Sequence, residues 1–244
     1  MVLQPGQDLV LVGYIGTRGV QELLHERAEQ IRTYFSTTYL EEELEKRKRR
    51  DQRFASFGPS KEGECRPAEL IKDFRQRYGV SKIKSVGKGG ILKALWDFLE
   101  EDSVDPETGK RTGAPIGCRF RYDRLSMAQF DLEICELLDL SPFRLYTENC
   151  WILAMDRGTQ FVEDFYALQH DRDVRQEHEA LERGERNGFD AGHNRLQEPV
   201  PASVFGRIQK DKKRVRIDGS ENSFLTRDGK DELDRYLSGK ERTK

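Results

Sequence analysis

Three glycines and two lysines stand ahead of an apolar run in KSVGKGGILKALWDFLEED, residues 84–102. Glycines before a helix can turn backbone N–H groups toward a phosphate, sulfate or carboxylate, and the helix dipole favours the negative charge. Lys88 would add a mobile cation and Ser85 a hydroxyl. The candidate anion-binding set is therefore Ser85, Gly87, Lys88, Gly89 and Gly90. Paired glycines equally let a helix pack close to a sheet with no ligand, so the local sequence leaves both roles open. A second glycine turn, Gly16-Thr17-Arg18-Gly19, offers Arg18 as a phosphate partner; its plainer reading is a helix start with Thr17 as cap. Glu148, in the turn Thr147-Glu148-Asn149, could hydrogen-bond a ligand or simply cap the turn.

These segments must be held by strands and helices. Residues 8–15, DLVLVGYI, are apolar and bounded by glycines, which predicts a buried strand. Residues 82–86 alternate like a strand, and so do 116–123. Residues 150–155, CWILAM, are almost wholly apolar and predict a central strand. Val20, Leu23, Leu24, Ala28 and Ile31 share one helical face, as do Ile91, Leu92, Leu95, Trp96, Phe98 and Leu99. A helix over 68–78 is expected to stop at Gly79, and another covers 158–169. ASVFGRIQ, RVRID and NSFLT read as three strands joined hairpin fashion, followed by a closing helix over 230–237. Helices separate the early strands and not the last three, which predicts an α+β fold with a mixed sheet of about six strands.

Ser36 is a second cap candidate, for the helix YLEEELEKRKRRDQRFA. There Glu42 precedes Lys46, Glu43 precedes Arg47 and Glu45 precedes Arg49, each by four residues, the spacing of a solvated, salt-bridged helix face. The basic run at 46–50 is therefore read as surface and not as a nucleic-acid patch. Lys210 to Arg216 is a second basic segment. The whole chain, with 42 basic and 44 acidic residues among 244, carries a net charge of −2, so no global pull toward nucleic acid or anionic lipid is expected. Residues 171–198 are mostly charged, with little apolar periodicity, and predict an inserted solvated helix and loop or a partly disordered, flexible excursion.

No apolar run reaches the length of a membrane span, and residues 1–6 lack the pattern of a secretory signal. Cytoplasmic location is the expectation. Cys65, Cys118, Cys135 and Cys150 are scattered and expected to be reduced and buried. His25, His170, His178 and His193 lack metal-ligand spacing, and no Ser/His/Asp or Cys/His set is recognisable, so catalytic residues stay unassigned.

Four segments in order carry a family likeness: PGQDLVLVGYIGTRGVQELLHER, GKGGILKALWDFLEED, EICELLDLSPFRLYTENCWILAM and VFGRIQKDKKRVRIDGSENSFLT. Together they resemble the C-terminal domain of the aminoimidazole ribonucleotide (AIR) synthase superfamily, in pattern most of all its hydrogenase maturation carbamoyl dehydratase. The resemblance leaves out a helical link at 36–80 and the charged segment at 171–198. It implies one three-layer α/β/α domain over 1–244, with the glycine loop beside a phosphate-bearing substrate. In the family a preceding domain carries most nucleotide-binding groups, often across a dimer, whereas this chain starts at the first strand of the C-terminal domain. The resemblance thus implies a separately encoded N-terminal domain as partner, ATP and Mg only through that partner, and a homodimer by analogy. The family pattern Asp-hydrophobic-Ser/Thr-x-Gly-Gly also departs here, because Ser85 takes the acidic position and Gly87 the hydroxyl position. The carbamoyl dehydratases' cysteine tail is absent too. The expectation is a stand-alone, catalytically degenerate relative that binds an anionic or phosphorylated small molecule or acts as an assembly partner, without turnover by itself. The alternative is one subunit of an ATP-dependent enzyme.

Overall fold

The structure, a computed structural model, describes residues 3–101, 116–183, 198–219, 221–227 and 230–239. Strand β1 (Asp8–Val12) is buried at every position, as its unbroken apolar run requires. Successive side chains point to opposite faces of a strand. Leu9 and Leu11 accordingly pack on one side, with Val86, Leu95, Phe98, Phe120 and Phe205, and Val10 and Val12 on the other, with Phe74, Leu153, Phe161 and Phe165. Strand β4 (Thr147–Met155) lies beside β1 and alternates likewise, Cys150, Ile152 and Ala154 against Trp151, Leu153 and Met155. Helix α5 (Gly90–Glu100) covers the first face and helix α7 (Gly158–Glu182) the second. That is the three-layer α/β/α arrangement expected from the resemblance.

The sheet has seven strands, one more than expected. The remaining five are β2 (Lys82–Gly87), β3 (Gly117–Arg121), β5 (Ala202–Gln209), β6 (Arg214–Asp218) and β7 (Glu221–Phe224), and the order is β2-β4-β1-β5-β3-β6-β7. All neighbours are antiparallel except β3 and β6. The hairpin reading of the last three strands is therefore half corrected. β6 and β7 form a hairpin, but β3 lies between β5 and β6. Gly117 opens β3 where an added Cβ would stand 2.0 Å from the Lys213 carbonyl oxygen, so β3 enters the gap only because that residue has no side chain.

A third core gathers helices beyond one end of the sheet: α1 (Thr17–Glu26), α2 (Ala28–Tyr34), α3 (Thr37–Ala55), α6 (Gln129–Leu137) and α8 (Glu232–Gly239). Val20, Leu23, Ile31, Leu40, Phe130, Ile134, Leu145 and Leu233 meet there. Ser36 caps α3 by accepting from the Tyr39 amide at 3.3 Å. The helix expected over 68–78 is broken: a 3-10 turn at Ala68–Leu70 and the short α4 (Phe74–Arg77) flank Asp73, whose φ is +55°. Gly79 follows with φ +64°, as expected of the residue that ends the segment. Helix α7 runs past 169 to Glu182 and takes in the start of the charged segment, while 184–197 lie outside the described residues. No helix among the described residues is long and apolar enough to cross a membrane.

Candidate functional site

β1 and β2 both pair antiparallel with β4. They are therefore parallel to each other, and their glycine turns leave the sheet at the same end, where β4 begins. Gly87 stands opposite Thr147 in the ladder, and the Gly16 amide donates to Thr147 Oγ1 at 2.8 Å. The three segments singled out in the sequence, at 16–19, 85–90 and 147–149, thus converge on one edge of the molecule. Thr17 is not the cap of α1. Gly16 holds that position with φ +75°, and the Thr17 hydroxyl donates to the Glu148 carbonyl at 2.9 Å while accepting from the Glu148 amide at 3.1 Å.

At the second turn the chain's own carboxylate occupies the Gly89 amide, beside an open cleft lined by Lys88, Gly89, Lys93, Lys230, Asp231 and Arg235. The Gly89 amide donates to Asp231 Oδ2 at 2.6 Å, and Asp231 Oδ1 accepts from the Leu233 amide at 3.0 Å. One carboxylate, 6% exposed, therefore sits on the N-terminus of α5 and caps α8 at the same time. Gly90 is a packing residue, with Phe143 and Arg144 pressed against it. Ser85 is exposed on β2, opposite Trp151. Lys88 is exposed, with Nζ 5.8 Å from the centroid of the Tyr146 ring. Sequence reading missed Asp231, 142 positions from Gly89, although an aspartate just before an amphipathic segment is itself a cap signal. Asp231→Ala removes that cap and strands a buried amide. Together these are expected to cost about 2–3 kcal/mol, read as a lower urea midpoint with the slope unchanged.

The first turn forms an arginine-lined cleft. Gly19 supplies no ligand group: its amide donates to the Tyr146 carbonyl at 2.8 Å, and a Cβ there would meet Leu145 at 2.3 Å. Arg18 pairs with Glu22 at 3.0 Å and lies 4.0 Å from Glu148, whose carboxylate accepts from the Tyr146 hydroxyl at 2.9 Å. Helix α3 crosses above and brings Arg47, Arg50 and Asp51. Arg47 is 8% exposed. Its Nη1 donates to Asp131 Oδ1 at 2.6 Å, and its Nη2 donates to the Thr17 carbonyl. Asp131, on α6, is 1% exposed. Burial pushes its carboxyl above the usual range, against the lowering pull of Arg47 and Arg50. Arg47 Nε and Asp131 Oδ2 are buried without a hydrogen-bond partner.

Arg50 lies with its guanidinium carbon 5.2 Å from the centroid of the Tyr14 ring. The Tyr14 hydroxyl donates to Glu198 at 2.5 Å, and burial together with that carboxylate raises the phenol above its ordinary range. The cleft has a volume of about 30 Å³. Arg18 and Glu148 from the expected set line it, and Ser85, Gly87, Lys88, Gly89 and Gly90 do not.

Arg47 corrects the solvated-face reading of α3. The Glu45–Arg49 pair forms at 3.7 Å, but Lys46 pairs with Glu43 at 2.5 Å and Arg47 turns inward to Asp131. Arg53, 5% exposed, pairs with Asp173. A signal was present: Leu40, Arg47 and Phe54 are spaced by seven and share the buried side of the helix.

All four cysteines are free and buried, and burial pushes the Cys118 and Cys135 thiols up to about 12, away from nucleophilic use. Among the described residues no three His, Cys, Asp or Glu side chains are grouped to hold a metal ion.

No family model and no curated protein matches the chain. Solved structures do. E. coli HypE, a hydrogenase maturation protein, matches with a TM-score of 0.54 and 16% identity over 96% of this chain and 53% of that one. A chain of the HypE–HypF complex gives 0.54 and 12% over 93% and 54%, and HypE in complex with ATP gives 0.51 and 12% over 92% and 51%. This chain spans about half the length of each of them. At such identities the likeness is one of architecture, and what it establishes is that the chain has the AIR synthase-like fold of HypE.

Proposed function

We propose that the chain is a catalytically degenerate AIR synthase-like module that binds a small anionic or phosphorylated molecule or serves as an assembly or regulatory partner, in hydrogenase maturation. One observation carries the binding part. Three guanidinium groups, Arg18, Arg47 and Arg50, converge on the β1–α1 turn, and Arg50 makes no hydrogen bond or ion pair among the described residues. Guanidinium groups so placed suit an oxyanion. The degenerate part is supported by Ser85 in the family's acidic position and by Asp231 on the Gly89 amide.

Calorimetric titration with phosphate, ribose 5-phosphate and ATP tests the reading. Binding of at least one is expected, weakened about tenfold by Arg50→Ala. Failure of all three to bind removes the small-molecule role.

A second reading makes the chain one part of an ATP-dependent enzyme whose nucleotide-binding domain comes from a separate chain. It is favoured by the half-length match to a HypE solved with ATP. ATP hydrolysis that appears only on mixing the two parts would select it.

A further inference from the structure

We infer that the open sheet face over β3, β6 and β7 docks an acidic amphipathic helix of a partner protein. This surface shares no residue with the arginine cleft, and anion binding there can fail without affecting it.

Strand pairing fixes which side chains meet on it. Arg207 of β5 stands opposite Arg119 of β3, Arg119 opposite Val215 of β6, and Val215 opposite Phe224 of β7, one row across four strands. Neighbouring strands are about 4.8 Å apart, so the row is about 14 Å long. Arg121, Ile217 and Asn222 form a second row beside it. Phe120 and Phe205 alternate to the opposite side of the sheet, into the core that α5 covers. Helix α7 lies on the near face over β1 and β5. Beyond it Phe224 is 67% exposed, Arg119, Arg121 and Asn222 are exposed, and Val215 and Ile217 are half-buried.

Three arginines stand on this face, and β3, β6 and β7 turn no carboxylate toward it, because Asp218 and Glu221 face each other on the other side. Arg207 is held by Asp8 at 2.9 Å and Arg121 by Asp123 at 2.7 Å. Arg119 makes no hydrogen bond or ion pair among the described residues. Charges that merely guard a sheet against edge pairing belong on the edge strand. Here the order is reversed, with Phe224 on the edge strand and Arg119 and Arg207 on interior ones. An apolar strip flanked by cations suits a helix with one apolar face and carboxylates along its side. Such a helix would continue the layer that α7 begins. A second copy of the same face would bring arginine against arginine, and the aliphatic Val215 and Ile217 give nucleic-acid bases no ring to stack on.

Fluorescence anisotropy of a labelled helical peptide, leucine on one face and glutamate on the other, titrated with the whole chain tests the assignment. Binding is expected, weaker as salt rises, and absent for the same peptide with lysine in place of glutamate. Arg119→Glu should weaken it about tenfold and Phe224→Ser about fivefold. Lys48→Glu, the same charge change on the exposed side of α3, should leave it unchanged. Should Phe224→Ser fail to fold, the contrast between Arg119→Glu and Lys48→Glu decides alone. Failure of the glutamate peptide to bind, or equal loss in those two variants, would overturn the docking surface. So would single-stranded RNA or anionic vesicles binding through Arg119 in the peptide's place, or a dimer of this chain that Phe224→Ser dissolves.

Discussion

Arg47→Met is expected to destabilise the protein by about 3–5 kcal/mol at pH 7, because it leaves the Asp131 carboxylate buried with no cation in contact. The loss should depend on pH in a definite direction. Burial already raises the Asp131 carboxyl above its ordinary value, and Arg47 is the group that pulls it back most. Without Arg47 the folded-state value climbs further. A carboxyl whose folded value is raised takes up a proton in the folded state where the unfolded chain has lost it. Its stabilising contribution is therefore complete below the ordinary carboxylate range and is lost as pH rises through the raised value. The deficit of Arg47→Met should be largest above the raised value and shrink as the solution is acidified toward the ordinary carboxylate range. Urea unfolding of wild type and variant at pH 7 and pH 5 reads both numbers. The double variant Arg47→Met/Asp131→Leu removes both charges and should recover most of the loss. A deficit that is flat with pH, or a double variant as weak as the single one, would mean that the pair is not what holds α3 on α6.

That pair marks the boundary of what the sequence makes readable. Hydrophobic alternation is a local property, and it sufficed for β1, β4 and the apolar face of α5, whose residues sort to the faces their spacing dictates. The caps were half readable, since Ser36 bonds its own helix but Thr17 spends its hydroxyl on Glu148, 131 positions away. The inserted position of β3 between β5 and β6 is a matter of pairing partners, which periodicity does not encode. The candidate site shows the same division. Convergence of the two glycine turns follows once β1 and β2 are known to flank β4. The choice between the two turns rests on a carboxylate, Asp231, and a guanidinium, Arg47, that arrive from far along the chain. Charged residues read as solvated when judged by their near neighbours. Only the seven-residue spacing of Arg47 with Leu40 and Phe54 said otherwise.

Gly87 and Gly90, two of the three glycines ahead of α5, should separate cleanly on substitution. Gly90 has φ +68°, and a Cβ there would stand 2.5 Å from the Phe143 carbonyl oxygen and 2.8 Å from Arg144 backbone atoms. Those atoms belong to a 3-10 turn, Pro142–Arg144, closed by the Arg144 amide donating to the Ser141 carbonyl at 3.2 Å, so they cannot yield the way a side chain does. Left-handed strain and overpacking then add, and Gly90→Ala is expected to cost about 3–5 kcal/mol and displace α5 from the sheet. Gly87 has φ +75° with nothing within 4 Å of the added carbon. Gly87→Ala bears the backbone strain alone, about 1 kcal/mol. Thermal melts of the two variants should thus differ by many degrees, with Gly87→Ala close to wild type. If instead both are tolerated and both abolish phosphate binding, the glycines serve a ligand at the second turn after all, and Asp231 is an occupant that the ligand displaces. The geometry favours the first outcome, because the backbone of residues 143–144 fills the space that a side chain at Gly90 would need, whether or not an anion is bound.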